Sequence, residues 1–115
     1  MRTYHKEVSW PEQLDMLMPT GMIDAKYSRH AENAAQTDRY GEILLPAYFT
    51  MERAWIFEAE IDGSHLKIVF RYPHDDQYDM VVAALVEFDQ LYVKTVWLNA
   101  VNDTHKTLNA ENYAK

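Results

Sequence analysis

Alternating apolar and polar positions dominate the second half of this chain and predict β-strands. The alternation is clearest on the two sides of Asp62-Gly63, a dipeptide that typically makes the two-residue turn of a β-hairpin. The later run MVVAALV is apolar on both faces, which indicates a central strand of a sheet. The predicted strands are Ile43–Thr50 with an interruption at Pro46, Ala54–Ile61, Leu66–Arg71, Tyr78–Phe88 and Leu91–Leu98.

A different periodicity precedes the strands and predicts one principal helix over residues 24–40. Ser28 is a plausible N-cap, three alanines follow it at helical spacing, and Gly41 is suited to end the helix. Alanines make a shallow face that can lie close on a sheet. A short helix is also expected at Pro11–Met18, because proline favours the first helical turn.

These elements predict a single α+β domain over residues 1–115, in which a four- to five-stranded antiparallel meander packs against the principal helix. A short N-terminal helix and a short C-terminal helical turn complete the expected fold. The predicted parts are an N-terminal arm or short helix at 1–20, the helix at 24–40, the sheet at 43–98, and a polar loop with a C-terminal tail at 99–115.

Composition narrows the function classes. The 115 residues are 48% hydrophobic and 25% charged, which suits one globular domain with a buried core. No run approaches the roughly 20 apolar residues of a membrane span, so we expect a cytoplasmic protein without a membrane partner. The absence of cysteine excludes disulfides, thiolate metal sites and a cysteine nucleophile. A net charge of -7 argues against bulk nucleic-acid binding and favours a protein partner or a small ligand.

Three segments resemble a known group of proteins. The segment KYSRHAENAAQTDRYG and the segment VKTVWLN are similar to the helix signature and the closing strand of small phage and bacterial proteins of unknown function, grouped with the RelE-like and barnase-like ribonuclease superfamily. The segment NDTHKTLNAENY looks like an extension seen in uncharacterised phage proteins. The resemblance implies a compact sheet with helices on one face and, in some relatives, metal-independent RNA cleavage. His30 and Arg39 match the helix signature and Thr95 matches the closing strand, whereas the acidic charge departs from the basic character of such nucleases.

RNA cleavage without a metal needs a base, an acid and cations that stabilise the charge on the phosphorus centre. The ends of the strands at Arg71 and Leu98 lie two strands apart in the predicted meander and run the same way, so they can share one rim of the sheet. The predicted catalytic residues are two histidines as acid and base and two cations as phosphate clamps: His30, His105, Arg71 and Lys106. The predicted substrate-binding residues are Arg39, Asn99, Asp103 and Thr107.

Each of these residues also has a purely structural interpretation. His30 could bond a carbonyl group within the helix, and Arg71 could pair with Glu58 or Glu60 across the hairpin. Asp103 or Thr104 could cap a short terminal helix. A cap at either residue would still place His105 and Lys106 at a helix N-terminus, which binds anions.

The sequence places His74, Asp75, Asp76 and Asp79 close together, and such residues could bind a divalent metal ion. Such residues are also common in turns, and the spacing of typical ligands is missing, so we predict no metal and no cofactor.

The alternative function is a non-enzymatic acidic protein of phage type that binds and modulates a host protein. The expected partners are therefore RNA or a host protein, with the chain a monomer or homodimer, in the host cytoplasm if it is phage-encoded.

Overall fold

The structure is a computed structural model that describes residues 2–5, 16–62 and 65–102, with side chains for 16–61 and 65–102. One eight-residue helix and one 3-10 turn accompany the strands in this part of the chain. The strands are β1 (Arg2–His5), β2 (Met22–Tyr27), β3 (Tyr48–Thr50), β4 (Trp55–Asp62), β5 (His65–Pro73), β6 (Tyr78–Val86) and β7 (Gln90–Ala100), the helix is α1 (Arg29–Gln36), and the 3-10 turn is Met51–Arg53.

All seven strands form one mixed sheet, in the order β1-β4-β5-β6-β7-β2-β3. Strands β4 to β7 follow one another as antiparallel neighbours, and β1 and β3 are antiparallel edge strands. Strand β2 instead lies parallel to β7. The prediction of a four- to five-stranded antiparallel meander was therefore wrong. The physical reason is that β1 and β2 enter the sheet by pairing with strands more than fifty residues away, which no local pattern reveals.

The predicted helix at 24–40 was wrong at both ends. Residues Met22–Tyr27 are a strand whose side chains alternate between exposed and half-buried. Ser28 does cap the helix, because its Oγ accepts a hydrogen bond from the Ala31 amide at 3.0 Å. The helix ends at Gln36, and Thr37 serves as its C-cap. The strand alternation was hidden because it runs directly into the helical spacing of the alanines.

The other predicted boundaries also move. Asp62 pairs with His65, so β4 ends at Asp62, one residue later than predicted. Of the predicted strand at Ile43–Thr50, only β3 pairs with a neighbour. The predicted Pro11–Met18 helix lies mostly outside the described residues; Met16 and Leu17 have helical backbone, but no N-terminal helix is among the elements of the described part. The predicted C-terminal turn lies beyond the described residues.

The main core lies between α1 and one face of the sheet, called here the helix face. Ala31 and Ala35 are buried there, and α1 packs mostly on β7. Phe49 is fully buried and meets the rings of Phe70 and Tyr72 edge-on, with centroid distances of 5.2 and 4.9 Å. The alanine face lets α1 lie close on β7.

The opposite face of the sheet, called here the groove face, carries a second and smaller apolar cluster. Phe57, Val69 and Val81 are buried in it, and Trp55 and Trp97 pack around them. Alternation along the strands assigns the polar residues of β4 and β5 to the same face. No helix in the described ranges has the length and apolar character that crossing a membrane requires.

Candidate functional site

A β-bulge in β4 directs an acidic residue onto the groove face. Ile56 lies opposite Phe70, whereas the next paired residue, Glu58, lies opposite Val69. Phe57 is therefore an extra residue in β4. Without this bulge, strict alternation would place Glu58 on the helix face, because Ile56 packs there.

A second bulge lies in β7, at the same level of the sheet. Thr95 pairs with Ala83 and Val93 pairs with Ala84, which leaves Lys94 as the extra residue. Val93 is in the main core, so the bulge allows both Lys94 and Thr95 to avoid it. Bulges are frequent beside active sites because they re-aim side chains.

A groove of about 480 Å³ lies between the two bulges. Its floor includes Val69 and Ala83 from the two central strands. The polar and charged side chains that line it come from four separate elements and the turn before α1, and include His30, Glu58, Glu60, Lys67, Lys94 and Thr95.

His30 reaches this groove because the start of α1 is fixed to β7. Strand β2 stops at Tyr27 beside Val93. The Ser28 amide then donates to the Val93 carbonyl at 3.0 Å, and the Ser28 Oγ donates to the Lys94 carbonyl at 3.0 Å. The first turn of α1 consequently lies against the edge of β7, with His30 exposed at the groove.

The charged residues of the groove differ in burial. Glu58 is buried, with 6% of its surface exposed. The Glu60 carboxylate is 22% exposed and lies 3.9 Å from the Lys67 ammonium, which is 51% exposed. Lys94 extends over the ring of Tyr92, with its Nζ 5.2 Å from the ring centroid. The groove thus gathers carboxylates, an imidazole and two ammonium groups over an apolar floor.

This set of groups can accept a proton, donate a proton and stabilise negative charge. Within the described residues, no group of three or more His, Asp or Glu side chains is placed to hold a metal ion.

Arg71, predicted as a phosphate clamp, is buried on the groove face. Its Nε lies 3.0 Å from Asp79 Oδ2, and its Nη2 donates to the Ala100 carbonyl at 2.8 Å. The contact with Ala100 agrees with the expectation that Arg71 and the end of the last strand share a rim. The guanidinium is engaged in these contacts, so its predicted role in catalysis stays a prediction that the geometry does not favour.

The structure does not bring Arg71 and His30 together. Lys67, which lines the groove with His30, precedes Arg71 by four residues along β5. That spacing corresponds to roughly 13 Å along the strand. Arg71 itself is not among the residues that line the groove with His30.

Arg39 and Asn99 lie at the end of the sheet near Arg71. The Arg39 guanidinium lies 4.8 Å from the Tyr40 ring centroid, and Tyr40 stacks on Tyr78 at 4.8 Å. Asn99 pairs with Asp79 in the register of β6 and β7. The remaining predicted site residues, His105, Lys106, Asp103 and Thr107, lie outside the described residues, and so does the Thr104 cap.

The carboxylates of the predicted turn after Pro73 form contacts within the protein. Asp75 Oδ1 accepts hydrogen bonds from the amides of Gln77 and Tyr78, both at 2.8 Å, and these bonds hold the pKa of Asp75 below its usual value. Asp79 is the partner of Arg71. Both carboxylates therefore have structural roles.

Reasoning from the sequence missed Glu58, Glu60, Lys67 and Lys94 as groove residues. In the sequence they read as ordinary polar positions of strands. The two bulges help to bring these side chains to one groove. A bulge is defined by the register between two strands, so the sequence of one strand does not display it. Thr95 was noticed only through the resemblance, whereas the helical spacing had already placed His30 at the edge of the alanine face.

No family model, no curated protein and no solved structure matches this chain in the three comparisons. The resemblance to RelE-like and barnase-like ribonucleases therefore depends on the residues quoted above.

Proposed function

We propose that this protein cleaves RNA without a metal ion and that the groove is its active site. The observation that carries the proposal is that His30, two carboxylates and two lysines line one groove of about 480 Å³. These are the group types that intramolecular cleavage of RNA requires. The histidine is the one assigned by the resemblance, whereas its partners differ from the residues expected at the rim.

In the proposed reaction, Glu60 removes the proton of a ribose 2′-hydroxyl, and the 2′-oxygen forms a bond to the adjacent phosphorus. The bond from phosphorus to the 5′-oxygen of the next nucleotide breaks, and protonated His30 supplies a proton to that leaving oxygen. The products are a 2′,3′-cyclic phosphate and a free 5′-hydroxyl. Lys67 and Lys94 stabilise the negative charge on the phosphoryl oxygens.

Glu60 is the better base because a substrate can contact its partly exposed carboxylate, whereas Glu58 is almost fully covered. The two lysines also explain how an acidic protein could bind RNA locally. The chain carries a net charge of -7, so long nucleic acids are repelled overall, but Lys67 and Lys94 locally oppose the two carboxylates. We therefore expect short single-stranded RNA to be a better substrate than long duplexes.

The test is an assay with a fluorescent single-stranded RNA oligonucleotide in EDTA. Wild-type protein should release fragments that end in a 2′,3′-cyclic phosphate, detected by mass spectrometry, and should leave the matched DNA intact because DNA lacks the 2′-hydroxyl. His30→Ala and Glu60→Gln should each reduce kcat by about 10² or more. Lys67→Ala and Lys94→Ala should also reduce kcat.

His74→Ala and Lys26→Ala are matched controls, because both residues are exposed and neither lines the groove. They should keep wild-type activity. A wild type that leaves every RNA intact, or cleavage that survives in His30→Ala, would refute the proposal.

The tail predicted from the resemblance needs a separate variant. His105→Ala tests whether the predicted second histidine takes part. Loss of cleavage in both His30→Ala and His105→Ala, with folding retained, would favour a histidine pair as acid and base in place of Glu60. Lys106→Ala, Asp103→Ala and Thr107→Ala test the other predicted tail residues in the same assay.

A second candidate function is binding to another protein, as the acidic charge suggests. The observation in its favour is the stack of the exposed Tyr40 on the half-buried Tyr78, next to the exposed Asp75 and Asp76. Aromatic residues are enriched at protein interfaces. A wild type inert on RNA, together with a partner protein that wild type retains and Tyr40→Ser does not, would favour this function.

A further inference from the structure

We propose that Ser28 is a positioning residue, which holds the β7 bulge in the shape that places Lys94 in the groove. This inference depends on the proposed RNA cleavage only for its kinetic readout. Its structural part concerns the bulge and can be tested on the protein without a substrate.

Two hydrogen bonds of Ser28 connect the helix start to the bulge, and a third caps the helix. Its amide donates to the Val93 carbonyl and its Oγ donates to the Lys94 carbonyl, both at 3.0 Å. The same Oγ accepts from the Ala31 amide at 3.0 Å. One hydroxyl group therefore caps α1 as an acceptor and fixes the extra residue of the bulge as a donor.

The extra residue of a bulge has no partner position in the neighbouring strand of its ladder. Lys94 is that residue in β7, since Val93 and Thr95 pair with consecutive residues of β6. The hydrogen bond from Ser28 gives the Lys94 carbonyl a fixed partner from outside β6. Ser28 holds Lys94 through its bond to the bulge and holds His30 through the cap of the helix start. The position of Lys94 relative to His30 therefore depends on Ser28.

The two roles of the hydroxyl can be separated by substitution. An ionised aspartate is a good N-cap but only accepts hydrogen bonds, so Ser28→Asp keeps the cap and loses the bond to Lys94. Ser28→Gly does the same without adding charge, because glycine costs an N-cap only a few tenths of a kcal/mol. Ser28→Thr keeps both the donor and the acceptor.

The expected kinetic result is that Ser28→Asp and Ser28→Gly reduce kcat by about 10- to 100-fold, because small misplacements of catalytic groups have effects of this size. KM should change by less than about threefold, since the loss falls on charge stabilisation in the transition state. Ser28→Thr should retain activity. Thr37→Ala is the matched control, because the Thr37 Oγ1 donates to the Asn33 carbonyl at 2.8 Å, at the end of α1 away from Ser28.

The structural result is read from ¹⁵N–¹H correlation spectra. Ser28→Gly should shift the Thr95 amide, whose nitrogen is bonded to the Lys94 carbonyl carbon, and Thr37→Ala should leave it unchanged. If the wild type does not cleave RNA but Thr95 shifts as expected, the proposed function fails and the role of Ser28 in the bulge stands. An unchanged Thr95 signal, or full kcat in folded Ser28→Gly when the wild type is active, would overturn the inference.

Discussion

The buried ion pair between Arg71 and Asp79 allows a sharp test of how the groove face is stabilised. Arg71 is 5% exposed and its partner is 24% exposed, with 3.0 Å between Nε and Oδ2. Asp79→Ala would leave a guanidinium inside the protein without this carboxylate. Breaking a buried pair in this way typically costs about 3–5 kcal/mol.

The structure places the expected loss at the lower end of that range. Arg71 keeps its hydrogen bond to the Ala100 carbonyl, and water already reaches part of Asp79. We therefore expect Asp79→Ala to lower the free energy of unfolding by about 3 kcal/mol, or the melting temperature by roughly 12 °C at about 4 °C per kcal/mol. Arg71→Met should cost less, about 1–2 kcal/mol, because the carboxylate it leaves is reached by water.

The assay is urea denaturation followed by tryptophan fluorescence. Trp55 lies opposite Arg71 in the register of β4 and β5, so the signal reports on this face directly. The double variant Arg71→Met/Asp79→Ala completes a double-mutant cycle, and its loss should be smaller than the sum of the two single losses. Lys67→Ala is the control, since its 3.9 Å pair with Glu60 is partly exposed to water and its loss should change stability by less than about 0.5 kcal/mol.

Losses below about 0.5 kcal/mol in both single variants, with no coupling between them, would refute the assignment of a structural pair. The contact with Asp79 would then not oppose the predicted action of Arg71 on a substrate. The stability experiment thus also separates a structural role for Arg71 from a chemical one.

Three further predictions follow from the contacts already described. Phe49→Ala should lower the free energy of unfolding by about 3–5 kcal/mol in urea denaturation, because it removes a fully buried ring that packs on two others; a loss below about 1 kcal/mol would contradict this packing. Tyr27→Phe should cost about 1 kcal/mol, because the Tyr27 hydroxyl donates to the Pro46 carbonyl, and it should make stability less sensitive to alkaline pH. Burial raises the pKa of Tyr27, so this contribution is present below the ordinary tyrosine pKa and is lost as pH rises through the raised value. The pKa of Asp75 is lowered, so its contribution is present above the ordinary carboxyl pKa and is lost as pH falls through the lowered value; a carboxyl-carbon NMR titration that finds an ordinary pKa would contradict the two amide hydrogen bonds.

Local patterns in the sequence identified much of the central sheet. The alternation around the β4–β5 hairpin and the apolar run of β6 predicted strands where strands are found, and Ser28 was predicted as the cap that it forms. These features depend on neighbours along the chain. Strand alternation, turn residues and helix caps are local, so a sequence can display them.

The candidate site could not be predicted in the same way. Arg71 looked available for a phosphate, but its partner Asp79 is the residue opposite Pro73 on the next strand, and only the register between β5 and β6 brings the two charges together. Likewise, strict alternation from Ile56, which packs in the main core, would place Glu58 on the same face. The bulge at Phe57 reverses that placement.

The sequence by itself determined that this chain builds antiparallel hairpins, begins its helix at Ser28, and carries a large excess of acidic residues. Only the tertiary structure decided that β2 pairs in parallel with β7 and that two bulges collect His30, Glu60 and Lys94 around one groove. The physical reason is that a strand chooses its neighbours and register by burying apolar surface across the whole sheet, and a shift of one residue exchanges its two faces.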